Sequence, residues 1–308
     1  MKVLLMGGTG FVGSYIIDEL INNEIVPRLL IRKGSEYKLL QAEQCELVFG
    51  DISHDSAIRD AMQDCDTIIY NIGIIREFPE KGITFECLHY IGVKKCVEIA
   101  KELNINRFIL MSANGVYNNR TEYQKSKLLA EEYLKSADLD YTIFHPSLIF
   151  GDPRGNNRPE FCTQLKKDML SLPFPAPIFY TGLNPLKAGN YALSPIHAKD
   201  VATIFVKSIQ EEKTVKKTFS LGGETYYWRD IISIISKAYE KNKWTIPVPV
   251  FAIKGIAKLF ERFSWFPITN DQLTMLIEGN VCQSKNIYRM FDITPIPFNF
   301  ETLDYLRS

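Results

Sequence analysis

Through the first half of the chain, short apolar runs alternate with longer amphipathic stretches. Lys2–Met6, Arg28–Ile31, Leu47–Phe49, Thr67–Tyr70, Phe108–Met111 and Tyr141–Phe144 are short and apolar on both faces, as buried strands are. Between them, Phe11–Asn23, Ser56–Met62, Phe85–Leu103 and Tyr123–Leu134 place apolar residues at i, i+3 and i+4, the spacing of one helix face. Strand and helix in alternation predict an α/β fold, a doubly wound parallel sheet covered by helices on both sides. After Phe150 the alternation fades into Gly151-Asp152-Pro153-Arg154-Gly155-Asn156-Asn157-Arg158-Pro159, a loop by composition. Ser194–Phe205 and Thr218–Leu221 read as a return to the sheet, and Tyr227–Tyr239, Val250–Phe263 and Asp271–Glu278 as helices. The expected division is a sheet domain at 1–150 with 191–222, and a smaller, mostly helical lobe at 151–190 and 223–308 that carries the substrate.

Composition narrows the classes. A chain of 308 residues holds one large or two unequal domains at roughly 150 residues each. With 46% hydrophobic and 23% charged residues it is neither disordered nor fibrous. Lysine and arginine total 36 against 36 acidic residues, so no bulk field draws the chain to nucleic acid. The six cysteines include no CxxC pair and the four histidines are scattered, which predicts neither a metal site nor a disulfide framework and fits a reducing, cytoplasmic setting. No apolar run reaches about 18 residues, and the four apolar residues between Lys2 and Gly7 are too few for a signal peptide.

The most informative motif follows the first strand. Gly7-Gly8-Thr9-Gly10-Phe11-Val12-Gly13 joins that strand to the first helix. In this context Gly7 allows a tight turn, Gly10 lets a pyrophosphate approach the backbone, Gly13 lets helix and sheet pack closely, and the helix N-terminus offers N–H groups to phosphate. The turn therefore predicts a dinucleotide site. Its GxxGxxG spacing resembles the short-chain dehydrogenase/reductase superfamily, in its extended and atypical branches, and implies a Rossmann-type sheet. Where many dinucleotide sites place a carboxylate at the end of the second strand, this chain has Ile31-Arg32-Lys33. A guanidinium suits a 2′-phosphate, so NADP(H) is expected over NAD(H), although Arg32 and Lys33 also read as solvated strand-end charges.

The resemblance extends to further positions. Asp51 and Ile52 stand where the superfamily contacts adenine, and Asn71 with Gly73 where it lines the middle of the cofactor. Tyr123 and Lys127 form the YxxxK pair, one helical turn apart on one face. A phenol that ionises near 10 needs a nearby ammonium to exchange a proton near neutrality. The resemblance thus implies Tyr123 and Lys127 as catalytic residues that also touch the cofactor, with Lys127 on its ribose. The usual hydroxyl position falls on Ala113. Ser112 lies one residue earlier and is the candidate for that role and for cofactor contact, although adjacent strand-end residues point to opposite sides. His89 replaces the usual Asn. His145, Pro146 and Ser147 stand where the family approaches the nicotinamide end, while His197, without a metal-binding cluster, reads as a packing residue.

Within the superfamily, Asn71-Ile72-Gly73, His89-x-x-Gly92, Met111-Ser112-Ala113-Asn114, Tyr123-x-x-x-Lys127 and Ala130-Glu131-Glu132 resemble the nucleotide-binding accessory subunit of respiratory complex I. NmrA-like proteins and chloroplast assembly factors are similar too. That branch implies two functions: an NADP(H)-dependent oxidoreductase or epimerase/dehydratase-like enzyme on an unknown small molecule, or a non-catalytic accessory or assembly protein of a respiratory or membrane complex. Lys254, Lys258 and Arg262, at i, i+4 and i+8 beside Phe251, Phe263, Trp265 and Phe266, read either as a helix that docks on a membrane surface or complex, or as an ordinary lobe helix with a solvated face.

Overall fold

A computed structural model describes residues 1–155, 158–261 and 268–307. Asn156 and Asn157 of the glycine-proline loop, and Arg262, Phe263, Trp265 and Phe266 of the basic-aromatic segment, lie outside the described residues.

In chain order the strands and helices are β1 (Lys2–Met6), α1 (Phe11–Asn22), β2 (Val26–Ile31), β3 (Glu46–Phe49), α2 (Asp55–Met62), β4 (Thr67–Tyr70), α3 (Gly92–Glu102), β5 (Arg107–Met111), α4 (Glu122–Ser136) and β6 (Asp140–Pro146). There follow β7 (Ile149–Phe150), α5 (Phe161–Leu165), β8 (Ala176–Tyr180), β9 (Ala192–Leu193), β10 (Ile196–His197), α6 (Ala198–Lys207) and β11 (Lys217–Leu221). The last elements are β12 (Tyr226–Tyr227), α7 (Trp228–Ala238), β13 (Thr245–Pro249), α8 (Val250–Phe260), α9 (Asn270–Glu278) and α10 (Lys285–Phe291).

The chain divides into two compact units. The first comprises Met1–Pro146, Ala198–Leu221 and Ser284–Ile293. Its seven strands lie in the order β11-β6-β5-β4-β1-β2-β3, and every neighbouring pair is parallel. The order reverses between β1 and β4, the switch point where ligands of doubly wound sheets bind at the carboxyl ends of the strands. β1 and β4 are the buried centre. Leu4, Met6, Ile68 and Tyr70 are fully covered and pack with Ile58 and Val97 from the flanking helices. Ser194–Phe205 departs from the expected return to the sheet. Only Thr218–Leu221, within β11, joins it; Ala198–Lys207 is the helix α6, packed on α1, because Val201, Ala202, Ile204 and Phe205 recur at helical spacing. α10 joins the same unit, with the Ser284 hydroxyl donating to the Ser220 carbonyl and Lys207 Nζ to that of Phe291.

The helix expected over Phe85–Leu103 opens with a wide π-turn, Glu86–Ile91, before α3. Tyr70 is the cause. Its hydroxyl donates to the Leu88 carbonyl at 2.6 Å, and a Cβ at Gly92 would meet that hydroxyl oxygen at 2.2 Å.

The second unit comprises Ser147–His197, Gly222–Gln283 and Thr294–Ser308. Phe150, Trp228, Ile231, Ile235 and Phe298 form its main core, and Phe179, Val250 and Leu273 a smaller one. β8 and β13 form a two-stranded parallel ladder that hydrophobic periodicity did not announce, since Pro177, Pro247 and Pro249 interrupt both strands. Among the described residues no helix is long and apolar enough to cross a membrane.

Candidate functional site

Parallel strands deliver the candidate residues to the carboxyl ends of the sheet's strands. Gly7 follows β1, Arg32 follows β2, Asp51 lies just past β3, Asn71 and Gly73 follow β4, Ser112 follows β5, and Pro146 ends β6. Ser147, the exception, belongs to the second unit, where its hydroxyl donates to the Asn280 carbonyl at 2.7 Å.

The glycine turn is held by backbone sterics. Gly7 adopts φ +91°, and its carbonyl accepts from the Gly10 N–H at 3.1 Å. A Cβ at Gly13 would approach the Gly7 oxygen to 2.2 Å, so only glycine permits this helix-to-turn contact. Gly10 differs: a Cβ there would meet nothing nearer than the same oxygen at 3.2 Å. The protein's own packing therefore leaves space at Gly10 while filling it at Gly13. α1 has no side-chain cap and no carboxylate in its first turn, so its amino end keeps its positive character. Phe11 packs edge-on against Tyr15, and Thr9 and Val12 are partly buried within the turn.

At the far edge Arg32 and Lys33 are exposed. Asp51 accepts from the Ser53 N–H at 2.9 Å and from its hydroxyl at 2.7 Å. Burial raises the Asp51 pKa, but these hydrogen bonds and the charges of Arg32 and His54 more than offset it and hold the carboxyl below its ordinary value. Arg32 thus stands within the field of a carboxylate at the end of the neighbouring strand. Ile52 is partly buried and packs against the hydrophobic core.

α4 supplies the remaining groups. A capping box fixes its start: Thr121 Oγ1 accepts from Gln124 N at 3.2 Å, and Gln124 Oε1 accepts from Thr121 N at 3.1 Å. Tyr123 therefore falls in the first turn, and Tyr123, Lys127, Glu131 and Lys135 follow at four-residue intervals along one face. Lys127 is 4% exposed, and among the described residues its ammonium donates to a single acceptor, the Met111 carbonyl, at 2.8 Å. Burial lowers its pKa to about 8, with Glu131 opposing. A Cβ on Gly73 would stand 3.4 Å from that nitrogen, so glycine keeps the approach to it clear. The Tyr123 hydroxyl forms no hydrogen bond among the described residues, and burial pushes the phenol up to about 12.

His89 braces this corner. Its Nε2 accepts from the Ile74 N–H at 3.1 Å, which puts the ring proton on Nδ1, 2.9 Å from Ser126 Oγ. Ser126 in turn donates to the Tyr123 carbonyl at 3.0 Å. Burial, then the nearby charge of Lys127, depresses the His89 pKa to about 2, so the ring is neutral. It lies edge-to-face with Tyr123 at 5.3 Å between centroids and stacks on Phe85.

Glu131 has a role that the motif Ala130-Glu131-Glu132 did not announce. This carboxylate is fully buried and gathers the Ser112 hydroxyl, His145 Nε2 at 2.7 Å, Lys135 Nζ at 3.2 Å and the Tyr117 hydroxyl at 3.3 Å. Burial raises its pKa, but hydrogen bonding and charge from His145, then Ser112 and Lys135, hold it below the ordinary value. The Ser112 and His145 side chains are thus committed to Glu131. No hydrogen bond joins Ser112 to Tyr123 among the described residues. The available signal was Glu131's position one turn beyond Lys127.

A buried ammonium with one acceptor, a phenol with none, and an uncapped helix behind a glycine turn suit a phosphate- and hydroxyl-rich ligand. Together with a parallel sheet that reverses order at β1, they define the dinucleotide-binding class. Residues 7–168 match the family model for NAD(P)H-binding proteins, and the chain belongs to that family.

The chain is 23% identical to the mitochondrial NADH-ubiquinone oxidoreductase 40 kDa subunit of Neurospora crassa, across 99% of its own length and 78% of the relative's. It is 22% identical to the photosystem II assembly factor Ycf39 of Trieres chinensis, across 95% and 88%. The fold matches that of Thermus thermophilus UDP-glucose 4-epimerase in complex with NAD, with a TM-score of 0.74, 15% identity and coverage of 100% and 99%. The chain thus belongs to the NAD(P)H-binding family and shares its fold with that epimerase.

Proposed function

We propose that the protein is an NADP(H)-dependent oxidoreductase or epimerase/dehydratase-like enzyme acting on a small molecule, with Tyr123 as its proton-exchanging group. The reading rests on the pair on α4: among the described residues the Tyr123 hydroxyl has no hydrogen-bond partner, and the Lys127 ammonium has one. Gly7, Thr9, Gly10, Phe11, Val12 and Gly13 would cradle the pyrophosphate, with Asp51 and Ile52 toward the adenine, Asn71 and Gly73 at the middle, and Lys127 on a ribose hydroxyl. Pro146 stands at the carboxyl end of β6. Ser147, in the second unit, gives its hydroxyl to the Asn280 carbonyl and takes no part in this reading. Ser112 and His145 act through Glu131 as positioning residues.

When bound, the nicotinamide supplies or accepts a hydride. A phenol held near 12 is protonated at neutral pH, so Tyr123 gives its proton to a developing alkoxide in the reductive direction. Lys127 stabilises the phenolate left behind while it carries its own proton, so turnover falls as pH rises through about 8.

Arg32 carries the preference for NADP(H). The Arg32→Ala variant is expected to lose about tenfold in NADPH affinity and to keep its NADH affinity, measured by fluorescence titration. Equal loss for both dinucleotides removes the 2′-phosphate assignment. Turnover is tested by screening carbonyl compounds and nucleotide sugars against the wild-type protein and Tyr123→Phe. Activity that survives in the variant removes Tyr123 from the chemistry.

A second reading, a dinucleotide-binding accessory or assembly protein without turnover, is favoured by one observation. The hydroxyl of Ser112 is committed to Glu131 and Ala113 has none, so β5 offers no free hydroxyl to a substrate. Copurification with a multisubunit membrane complex, without turnover in the screen, supports that reading.

A further inference from the structure

The net charge of zero conceals an asymmetric region in the second unit. From Met169 to Asn190 and from Lys241 to Phe260 the chain carries five lysines and no carboxylate. The two segments meet, since β8 pairs with β13, the turn Pro185–Lys187 packs beside β13, and α8 follows β13 directly. The same segments expose large apolar side chains: Leu183 is 96% exposed, Leu186 86%, Trp244 81% and Phe251 72%. Isolated exposed apolar residues such as Trp244 are ordinary, but Leu183, Leu186 and Phe251 all follow the carboxyl ends of the paired strands β8 and β13, and a grouped set this exposed marks an interaction surface.

α8 shows how the set is organised. Its inner side is accounted for, because Val250 and Ile253 pack with Leu273 of α9 and Ala257 is fully buried. On the other side Phe251, Gly255 and Leu259 recur every four residues, with Lys254 and Lys258 one stripe over. Neither lysine has an ion-pair partner among the described residues. Apolar side chains beside unpaired lysines are the chemistry of an interfacial helix, whose apolar groups enter the headgroup boundary while the lysines meet anionic lipid.

We infer that this face of the second unit, formed by the turn at Leu183–Lys187, β13 and α8, docks on an anionic lipid surface. Charge complementarity selects that occupant: a neutral bilayer leaves Lys187, Lys254 and Lys258 unused, and an apolar protein groove would have to bury them. The inference is independent of whether the dinucleotide site turns over.

Co-sedimentation of the full-length protein with vesicles tests it. Binding is expected to vesicles of phosphatidylcholine with phosphatidylglycerol, with at least about tenfold weaker binding to phosphatidylcholine alone and a comparable loss at about 0.5 M salt. Phe251→Ser with Leu259→Ser, and separately Lys254→Glu with Lys258→Glu, are each expected to weaken binding at least about tenfold. Both pairs are expected to melt with the wild type and to bind NADPH as it does. Failure to sediment with anionic vesicles, or equal sedimentation of wild type and both variants, overturns the inference. So does a concentration-dependent dimer that the apolar variant abolishes, which gives the face to a second copy. Retention on native membranes that disappears after protease treatment, with no binding to vesicles, gives it to a protein partner.

Discussion

The two halves of a single stripe on α4 differ in one respect. Among the described residues, Tyr123 at its amino end has no hydrogen-bond partner through its hydroxyl and Lys127 has one; farther along, Glu131 has four donors around it. The same helix face therefore carries an unfinished site and a finished scaffold, eight residues apart. Lys127 is buried with one acceptor, and a buried charge short of partners is costly, so the unfinished half is maintained at a cost to the free protein that a ligand can offset. The finished half holds the ends of β5 and β6 in place beside it.

Removing the finished half has the largest expected effect. Glu131→Ala leaves buried donors without their acceptor and is expected to cost about 3–5 kcal/mol, read as a drop of roughly 10 °C in melting temperature. The pH dependence follows from the depressed folded pKa of Glu131. Its contribution is present above the unfolded value near 4.5 and is lost as pH falls through the lower folded value. Wild type therefore loses stability on that descent, and Glu131→Gln loses less. Equal acid unfolding of the two removes Glu131 from this role.

The glycine turn repeats the contrast with backbone alone. Gly13→Ala forces a contact of 2.2 Å with a carbonyl oxygen and is expected to destabilise the protein by about 1–3 kcal/mol and abolish measurable NADPH binding. Gly10→Ala meets only a contact of 3.2 Å, so its melting temperature is expected to stay within about 3 °C of wild type while NADPH affinity falls about tenfold. A Gly10 variant that binds normally means that the space there is not used by ligand.

Tyr123→Phe has the smallest expected effect on the free protein. It removes a hydroxyl with no hydrogen-bond partner among the described residues, so stability is expected to change by less than about 0.5 kcal/mol in chemical denaturation. A loss above about 1 kcal/mol would show that the phenol is part of the scaffold.

The sequence made the sheet and the glycine turn legible for a common reason. Strands such as Thr67–Tyr70, buried on both faces, and glycines such as Gly13, excluded from every alternative by a carbonyl, leave local traces in residue type and spacing. Segments governed by tertiary partners left no such trace. β8 and β13 pair despite their prolines, the helix at Ser194–Phe205 was concealed by a short strand at its start, and the widened turn at Glu86–Ile91 is set by a tyrosine 18 residues away from the carbonyl it engages. For the candidate site, spacing revealed Tyr123 and Lys127. It could not reveal that Ser112 and His145 would turn to Glu131, since that depends on three separate elements meeting beneath α4.

The central claim, that the amino half of the α4 stripe is completed by a dinucleotide, is tested most directly by Lys127→Met, melted across pH and titrated with NADPH. Folded Lys127 titrates at about 8 against an ordinary value of 10.5, so the unfolded chain binds more protons between them and wild-type stability gains as pH rises through that window. The variant is expected to lack that gain, to melt at or above wild type at pH 7, and to bind NADPH at least about tenfold more weakly. A variant that is destabilised at pH 7 yet binds NADPH as tightly as wild type would contradict the account.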